Sequence, residues 1–357
     1  MTDTPEIVAR LLVVAVLAWV TSFIGVLILR RWAFDLGFVD VPNLRSSHAH
    51  PTPRAGGLPL VLTVLIGLTA LSAARWVSLP SVVLALCVGA FLVAAVSLAD
   101  DRWRLPAAVR LAAQVVGTLV LVAGGGTLGP VQVSDSVAWS LGWLTLPVTF
   151  LWVIGLTNAY NFMDGIDGLA AGQAMVTALT MGWLGYLLGN QLVAVFMALL
   201  ASATLGFLVL NWPPARIFLG DVGSAFLGFT FAGWAVLTAS PLGGGPPFLA
   251  WAAVLSPFIL DTAVTLACRV ARRERWYEPH RQHYYQRLVR CGWPHVLVTG
   301  LYAVMSAFCG AAAILCYGYG LVSSIVVLSV VLVEFGLLVL LVRAAERRMP
   351  RRATATT

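Results

Sequence analysis

The stretch "NAYNFMDGIDGLAAG", Asn158 to Gly172, places four polar side chains at three-residue intervals: Asn158, Asn161, Asp164 and Asp167. Apolar runs of membrane length lie on both sides of it, at 139–157 and 168–188. The chain around it has 357 residues, 60% hydrophobic and 10% charged, whereas a soluble domain carries about 25% charged residues. No water-soluble core hides that much apolar surface, so the class is an all-α integral membrane protein. The four polar side chains then sit at the edge of a bilayer.

Reading outward from this stretch, apolar runs bounded by polar or Gly/Pro breaks predict a polytopic bundle of eleven transmembrane helices. They cover 7–29, 57–74, 80–98, 107–123, 139–157, 168–188, 192–210, 223–239, 248–268, 296–316 and 320–342, each approaching the ~20 residues that cross ~30 Å of hydrocarbon. The first run, Ile7 to Leu29, is too long for a signal-peptide core and reads as a retained span. No repeat and no linker divides the chain, so 1–357 reads as one domain, with a short basic tail at 343–357. The five cysteines show no metal or redox spacing.

All 22 basic residues are arginine. Taking alternate loops, one side holds Arg30, Arg31, Arg45, Arg54, Arg102, Arg104, Arg110, Arg216, the run from Arg269 to Arg290, and the tail; the other keeps Arg10 and Arg75. This bias predicts a cytoplasmic C-terminus and a periplasmic N-terminus. The motifs "SLADDRWRL", "NAYNFMDGIDG", "FLGDVGS" and "RRERWYEPHRQHYYQRL" all fall on the arginine-rich side, so that face carries the chemistry and its loops are the catalytic ones.

Asp100 and Asp101 are adjacent carboxylates at the end of the third span. They read as a functional pair, or more plainly as a solvated turn paired with Arg102 and Arg104. Arg110 lies one to two turns into the next helix. In a tight or 3₁₀-like turn, Asn158, Asn161, Asp164 and Asp167 stack as a row of oxygens, a donor set that favours a hard cation such as Mg²⁺ or Mn²⁺. The plainer reading makes Asp167 the N-cap of the sixth helix. Asp221 opens the eighth helix among Gly220, Gly223 and Ser224, either as an ordinary N-cap or as an acid beside a helix-N-terminal anion site.

The loop after the ninth span interleaves Arg269, Arg272, Arg273, Arg275, His280, Arg281, His283 and Arg287 with Trp276, Tyr277, Tyr284 and Tyr285. That pattern reads as an amphipathic headgroup-layer segment or as a positive-inside loop. The basic patch is confined to the membrane face, which excludes nucleic acid as a partner. Asp261 and Glu334 are intramembrane acids, functional by default. Together, acids for a cation, arginines for phosphate and a bilayer point to phosphoryl transfer between a soluble phosphate ester and a lipid phosphate. A proton-coupled transporter is the alternative class, but its sites lie near the midplane between repeats.

"DDRWRLPAAVRL", "NAYNFMDGIDGLA", "FLGDVGSAFLG" and "EPHRQHYYQRL", in that order along nearly the whole chain, resemble the signature loops of the polyprenyl-phosphate N-acetylhexosamine-1-phosphate transferases. The resemblance implies a UDP-N-acetylhexosamine donor, an undecaprenyl phosphate acceptor, Mg²⁺ (Mn²⁺ as a substitute), release of UMP, and a place in a bacterial inner membrane. Carried over by motif, Asn161 and Asp221 match the metal-holding residues, and Asp100 and Asp101 the aspartate pair near the lipid phosphate. Asp164 and Asp167 match acids of the nucleotide pocket, which with the aspartate pair form the catalytic set. Asn158, Arg110, His280, Arg281 and His283 match substrate contacts. "PHRQHYYQRL" departs from the His-rich triplet of the peptidoglycan branch and is closer to the O-antigen-initiating branch. The resemblance is compatible with a homodimer. The lipid phosphate is largely dianionic near neutral pH, which favours its direct attack on the sugar-linked phosphorus, with a covalent aspartyl intermediate as the other route.

Overall fold

The computed structural model describes residues 4–42, 50–134, 137–239, 244–275 and 280–348. Arg45, Trp276, Tyr277, Arg351 and Arg352, read above as part of the arginine-rich face, lie outside them. Thirteen helices form the described part: α1 (Thr4–Leu36), α2 (Gly57–Ala73), α3 (Ser81–Trp103), α4 (Ala107–Ala123), α5 (Thr145–Met163), α6 (Leu169–Leu187), α7 (Gln191–Asn211), α8 (Gly220–Ala239), α9 (Phe248–Val254), α10 (Ser256–Ala271), α11 (Tyr284–Arg290), α12 (His295–Ala313) and α13 (Ser324–Arg348). Two short antiparallel ribbons complete it: β1 (Val39–Asp40) with β2 (Thr52–Pro53), and β3 (Val131–Ser134) with β4 (Val137–Trp139).

Helices occupy all eleven predicted segments, but seven are long and apolar enough to cross a membrane, or eight if the bent α9–α10 pair is one span. The helices α2 and α4 have 17 residues each, about 26 Å at 1.5 Å per residue, which is short of the hydrocarbon thickness. The ninth segment is broken rather than straight: α9 and α10 meet at 73°, with Pro257 in the first turn of α10. The break frees the Val254 carbonyl, and Gln173 Nε2 of α6 bonds it at 2.9 Å. A polar side chain inside an apolar helix thus supplies the partner that the bend removes.

The centre of the bundle is α8, packed against α3 and α5. Every residue of it is buried except Asp221 and Ala239. Glycines make this possible. A Cβ on Gly228 would sit 2.8 Å from Thr157 Cα, and one on Gly57 would sit 2.3 Å from Gly223 Cα, so the backbones touch as small residues allow in membrane bundles. The outer helices turn Phe308, Ile325, Leu332 and Leu340 outward, each more than 60% exposed, a surface that only lipid solvates well.

Helix ends overrun the expected boundaries toward the motif-bearing end. The third helix continues to Trp103, so Asp100 and Asp101 lie in its last turns and are buried, not in a solvated turn. The row of four polar residues is corrected in the same way. Asn158 and Asn161 sit on regular α-helix, Asp164 is the C-cap of α5 with φ −84° and ψ 50°, and Asp167 lies beyond it. The row does not stack because α5 stays a regular α-helix through Met163 and ends at the Asp164 C-cap, which leaves Asp167 outside the helix.

Candidate active site at the acidic end of the bundle

Four segments converge at one end: the C-terminus of α3, the start of α4, the C-terminus of α5 and the N-terminus of α8. The convergence is held by Asp101, whose carboxylate accepts the Asp221 and Val222 backbone N–H groups, each at 3.0 Å. An acid from α3 thereby caps α8, satisfying two N–H groups that a helix start leaves open. Gly220, at φ +77°, lets the chain enter this cap; a Cβ there would meet Asp101 Oδ2 at 2.7 Å.

Two arginines thread the cluster. Arg54 pairs with Asp101 and lies 3.7 Å from Asp221 Oδ1. Burial opposes its charge, but Asp101, Asp221, Asp40 and Asp100 more than offset this and hold the guanidinium above its usual range. Arg110 Nη1 lies 3.1 Å from both Asp100 Oδ2 and Asp221 Oδ2. Sequence reading took Arg54 only as a topology marker. Its signal was "PTPRAGG": a proline turn and paired glycines beside a lone arginine. The ribbon β1–β2 and the bonds Arg54 N to Phe38 O, Gly56 N to Phe218 O and Gly57 N to Leu219 O fix it, while Ala55 takes φ +64°, a left-handed conformation unfavourable for a residue with a Cβ.

Asn161 donates Nδ2 to Ser224 Oγ at 3.0 Å, which leaves Oδ1 as its acceptor atom. Asp164 is half-buried, and its carboxyl is pushed well above the usual range by burial and by Asp221 and Asp101, against the pull of Arg54. Asn158 exchanges hydrogen bonds with Gln114 of α4, at 2.6 Å and 3.4 Å, so its amide clamps α4 to α5. Asp167 is not the N-cap of α6; Gly168 is, at φ +75°. Asp167 Oδ2 instead accepts from Ala215 N at 3.1 Å and meets His295 Nδ1 at 3.3 Å. The buried Asn211, unnoticed in the sequence, accepts from Gly168 N and donates to Ile217 O, joining the turn after α5 to the loop before α8.

The basic motif reaches the same end through Tyr285, whose hydroxyl donates to Phe162 O at 3.0 Å. A Cβ on Gly165 would lie 2.0 Å from that hydroxyl, so only glycine fits. Asp261, read above as a functional intramembrane acid, is buried and caps α11. It accepts from Tyr284 N at 2.9 Å, Tyr285 N at 3.2 Å and Tyr302 Oη at 2.5 Å, and meets His283 Nδ1 at 3.3 Å. His283 is therefore an anchored N-cap residue with its ring beside His280, centroids 4.8 Å apart. Burial, His283 and Arg269 push His280 down to about 4. Arg281 has a buried Nη2 with no partner among the described residues. Glu334 accepts from Cys309 Sγ at 3.1 Å, a bond internal to the bundle.

Among the described residues no three His, Cys, Asp or Glu side chains close into a ready metal cage. Mg²⁺ does not need one: it keeps several waters and takes one or two protein oxygens plus substrate phosphate. The cluster of Asp100, Asp101, Asp164 and Asp221 faces Arg54 and Arg110, a donor set of oxygen atoms alone. The residues present fit a hard divalent cation.

The model of glycosyl transferase family 4 matches residues 83–239. A probable undecaprenyl-phosphate N-acetylglucosaminyl 1-phosphate transferase of Bacillus subtilis is 31% identical over 296 residues, 81% of this chain and 80% of that protein. A decaprenyl-phosphate N-acetylglucosaminephosphotransferase of Mycobacterium tuberculosis is 33% identical over 332 residues, covering 80% and 78% of the two chains. A phospho-N-acetylmuramoyl-pentapeptide-transferase of Moorella thermoacetica is 43% identical over 104 residues, 29% of this chain and 33% of that one.

Proposed function

Because the chain belongs to the polyprenyl-phosphate N-acetylhexosamine-1-phosphate transferase family, we propose that it transfers N-acetylhexosamine-1-phosphate from a UDP-sugar to undecaprenyl phosphate. The products are UMP and a lipid-linked pyrophosphoryl sugar. The observation that carries the reading is Asp221, the one acid on an otherwise buried central helix, set between Arg54 and Arg110 beside Asn161. The transporter reading finds no support among the relatives, and the acids it needed are accounted for: Asp261 caps α11 and Glu334 bonds Cys309.

In this reading an oxygen of the lipid phosphate attacks the sugar-bearing phosphorus, and the bond from that phosphorus to the UMP oxygen breaks. Asn161 and Asp221 are the residues that would hold Mg²⁺, which would supply charge neutralisation on the pyrophosphate and on the departing UMP. Arg110 and Arg54 shift from carboxylate to phosphate oxygens as the substrates enter, since a guanidinium fork serves both. Direct attack is favoured over an aspartyl intermediate at Asp101, because both oxygens of that carboxylate already accept backbone N–H groups and one also meets Arg54. Asp100, which pairs with Arg110, orients the acceptor or takes a residual proton. Arg281, with its unpartnered Nη2, binds the donor phosphates and His280 and His283 shape the loop around it; Asp164 and Asp167 line the nucleotide side.

Relatives named for N-acetylglucosamine make UDP-N-acetylglucosamine the first donor to test, ahead of the 6-deoxy sugars of an O-antigen route. The experiment is UMP release by the detergent-purified protein with undecaprenyl phosphate and Mg²⁺ across a panel of UDP-N-acetylhexosamines. Lipid-dependent release from at least one donor is expected. No release from any of them, by folded protein, would overturn the proposal.

A further inference from the structure

A polar cavity opens at the acidic end of the bundle, on the side of α1. Its volume is about 430 Å³, and Arg30, Arg31, Arg216 and Thr52 line it together with the apolar Leu27 and Phe34. No acid lines it, and among the described residues none of its three arginines has an ion-pair partner. Arg54 and Arg110, by contrast, are matched to carboxylates. Three unmatched guanidinium groups around one concavity repel each other unless an anion joins them. Phe34 is 59% exposed and Leu27 38% exposed, so the cavity presents an apolar wall as well as a cationic floor at the end of a membrane-spanning helix.

We propose that this cavity binds the phosphodiester headgroup of an anionic membrane lipid, with Arg30, Arg31 and Arg216 on the phosphate and Leu27 and Phe34 against the start of the acyl chains. The mixed lining favours a lipid over a free phosphate, which gains nothing from Leu27 and Phe34. Basic pockets beside transmembrane helices recognise headgroups in this way. The cavity also shares residues with the site. Ala215 lines it and donates to Asp167, and Pro53 lines it and accepts from Phe218 N at 2.8 Å, next to Arg54. A bound headgroup therefore steadies the two loops that lead to Arg54 and Asp221.

The test uses full-length protein in nanodiscs of phosphatidylcholine alone and of phosphatidylcholine doped with phosphatidylglycerol. Thermal stability and lipid retained in native mass spectrometry are the readouts, neither of which depends on transferase activity. Wild type should show a higher Tm with phosphatidylglycerol and retain it. The triple variant R30Q/R31Q/R216Q should lose that preference about tenfold or more, as expected when charge-assisted contacts are removed. R343Q/R347Q/R348Q, which removes the same charge from the exposed end of α13, should keep it. The single variant R216Q, expected to weaken retention in part, covers the case in which the triple variant does not fold. Equal loss in the two triple variants would mean a general surface-charge effect and would overturn the proposal, as would equal stabilisation by inorganic phosphate in phosphatidylcholine discs.

Discussion

At the residue scale, adjacent acids have been given different work by their surroundings. Asp101 has no free valence: two backbone N–H groups and Arg54 use its oxygens. Asp101→Ala should cost stability, about 3–5 kcal/mol for leaving Arg54 and the α8 start unpaired, read as a lowered Tm in detergent. Asp221→Asn and Asn161→Ala should instead leave Tm near wild type and remove most turnover. Near-normal turnover of folded Asp221→Asn at low Mg²⁺ would sink the metal assignment. Sequence reading paired Asp100 with Asp101 because they are neighbours in the chain. It had no means of seeing that one of them points at a helix N-terminus 120 residues later, since helix capping across the fold leaves no local pattern.

At the element scale, α11 is a short helix whose N-terminus is capped by a carboxylate in α10, with Tyr285 to Phe162 O and Arg287 to Glu346 as further anchors. Its seven residues are too few to be stable alone, so the bonds from Asp261 to Tyr284 N, Tyr285 N and Tyr302 Oη, together with these anchors, decide where it lies. The motif was legible as a basic, aromatic segment. Its anchor was not, because an acid in an apolar helix reads as a functional charge rather than as a cap. Arg281→Ala should lower kcat/KM for the UDP-sugar by about 2 kcal/mol or more, the loss of a charge-assisted bond in a partly desolvated site, while the exposed Arg290→Ala should cost little. Equal, small effects would make the segment a membrane-surface anchor only.

The same element carries a pH dependence. His280 accepts from Gln282 N through Nδ1 at 3.4 Å, which requires a neutral ring, and burial, helped by His283 and Arg269 and opposed by Glu274 and Asp261, holds it down to about 4. The undocked loop binds its proton at the ordinary pKa near 6.5. Docking is therefore fully supported above pH ~6.5 and weakens as pH falls from there toward 4, because the undocked state takes up the proton first. Hydrogen exchange over 280–290, corrected for intrinsic rate, should show protection decreasing between pH 7 and pH 5 in wild type and much less so in His280→Gln. Unchanged protection in wild type would remove His280 from the docking of this loop.

At the scale of the whole molecule, the gathering of the motif loops at one end was legible, because alternation of apolar runs and arginine content fixes which loops share a side. Which helices cross was less legible, because composition does not reveal where a span breaks or how short a buried one can be. The helices α2 and α4 are the deciding pair. Their shortfall against ~30 Å is about 4 Å, and mismatch costs only fractions of a kcal/mol per Å. Leaving either apolar helix in water would cost far more, at about 25 cal/mol per Å² of apolar surface. Both should cross, as should α6 and the α9–α10 pair, giving eleven crossings, an odd number that puts the termini on opposite sides. Eight crossings would put them on the same side. Reporter fusions at the N-terminus and after Pro350 separate these outcomes, and a third in the 241–247 loop fixes the hand. The arginine bias places the C-terminal reporter in the cytoplasm and the other two outside. Termini reporting the same side would return the count to eight, and a cytoplasmic 241–247 loop would invert the bundle and move the acidic cluster away from the compartment that holds nucleotide sugars.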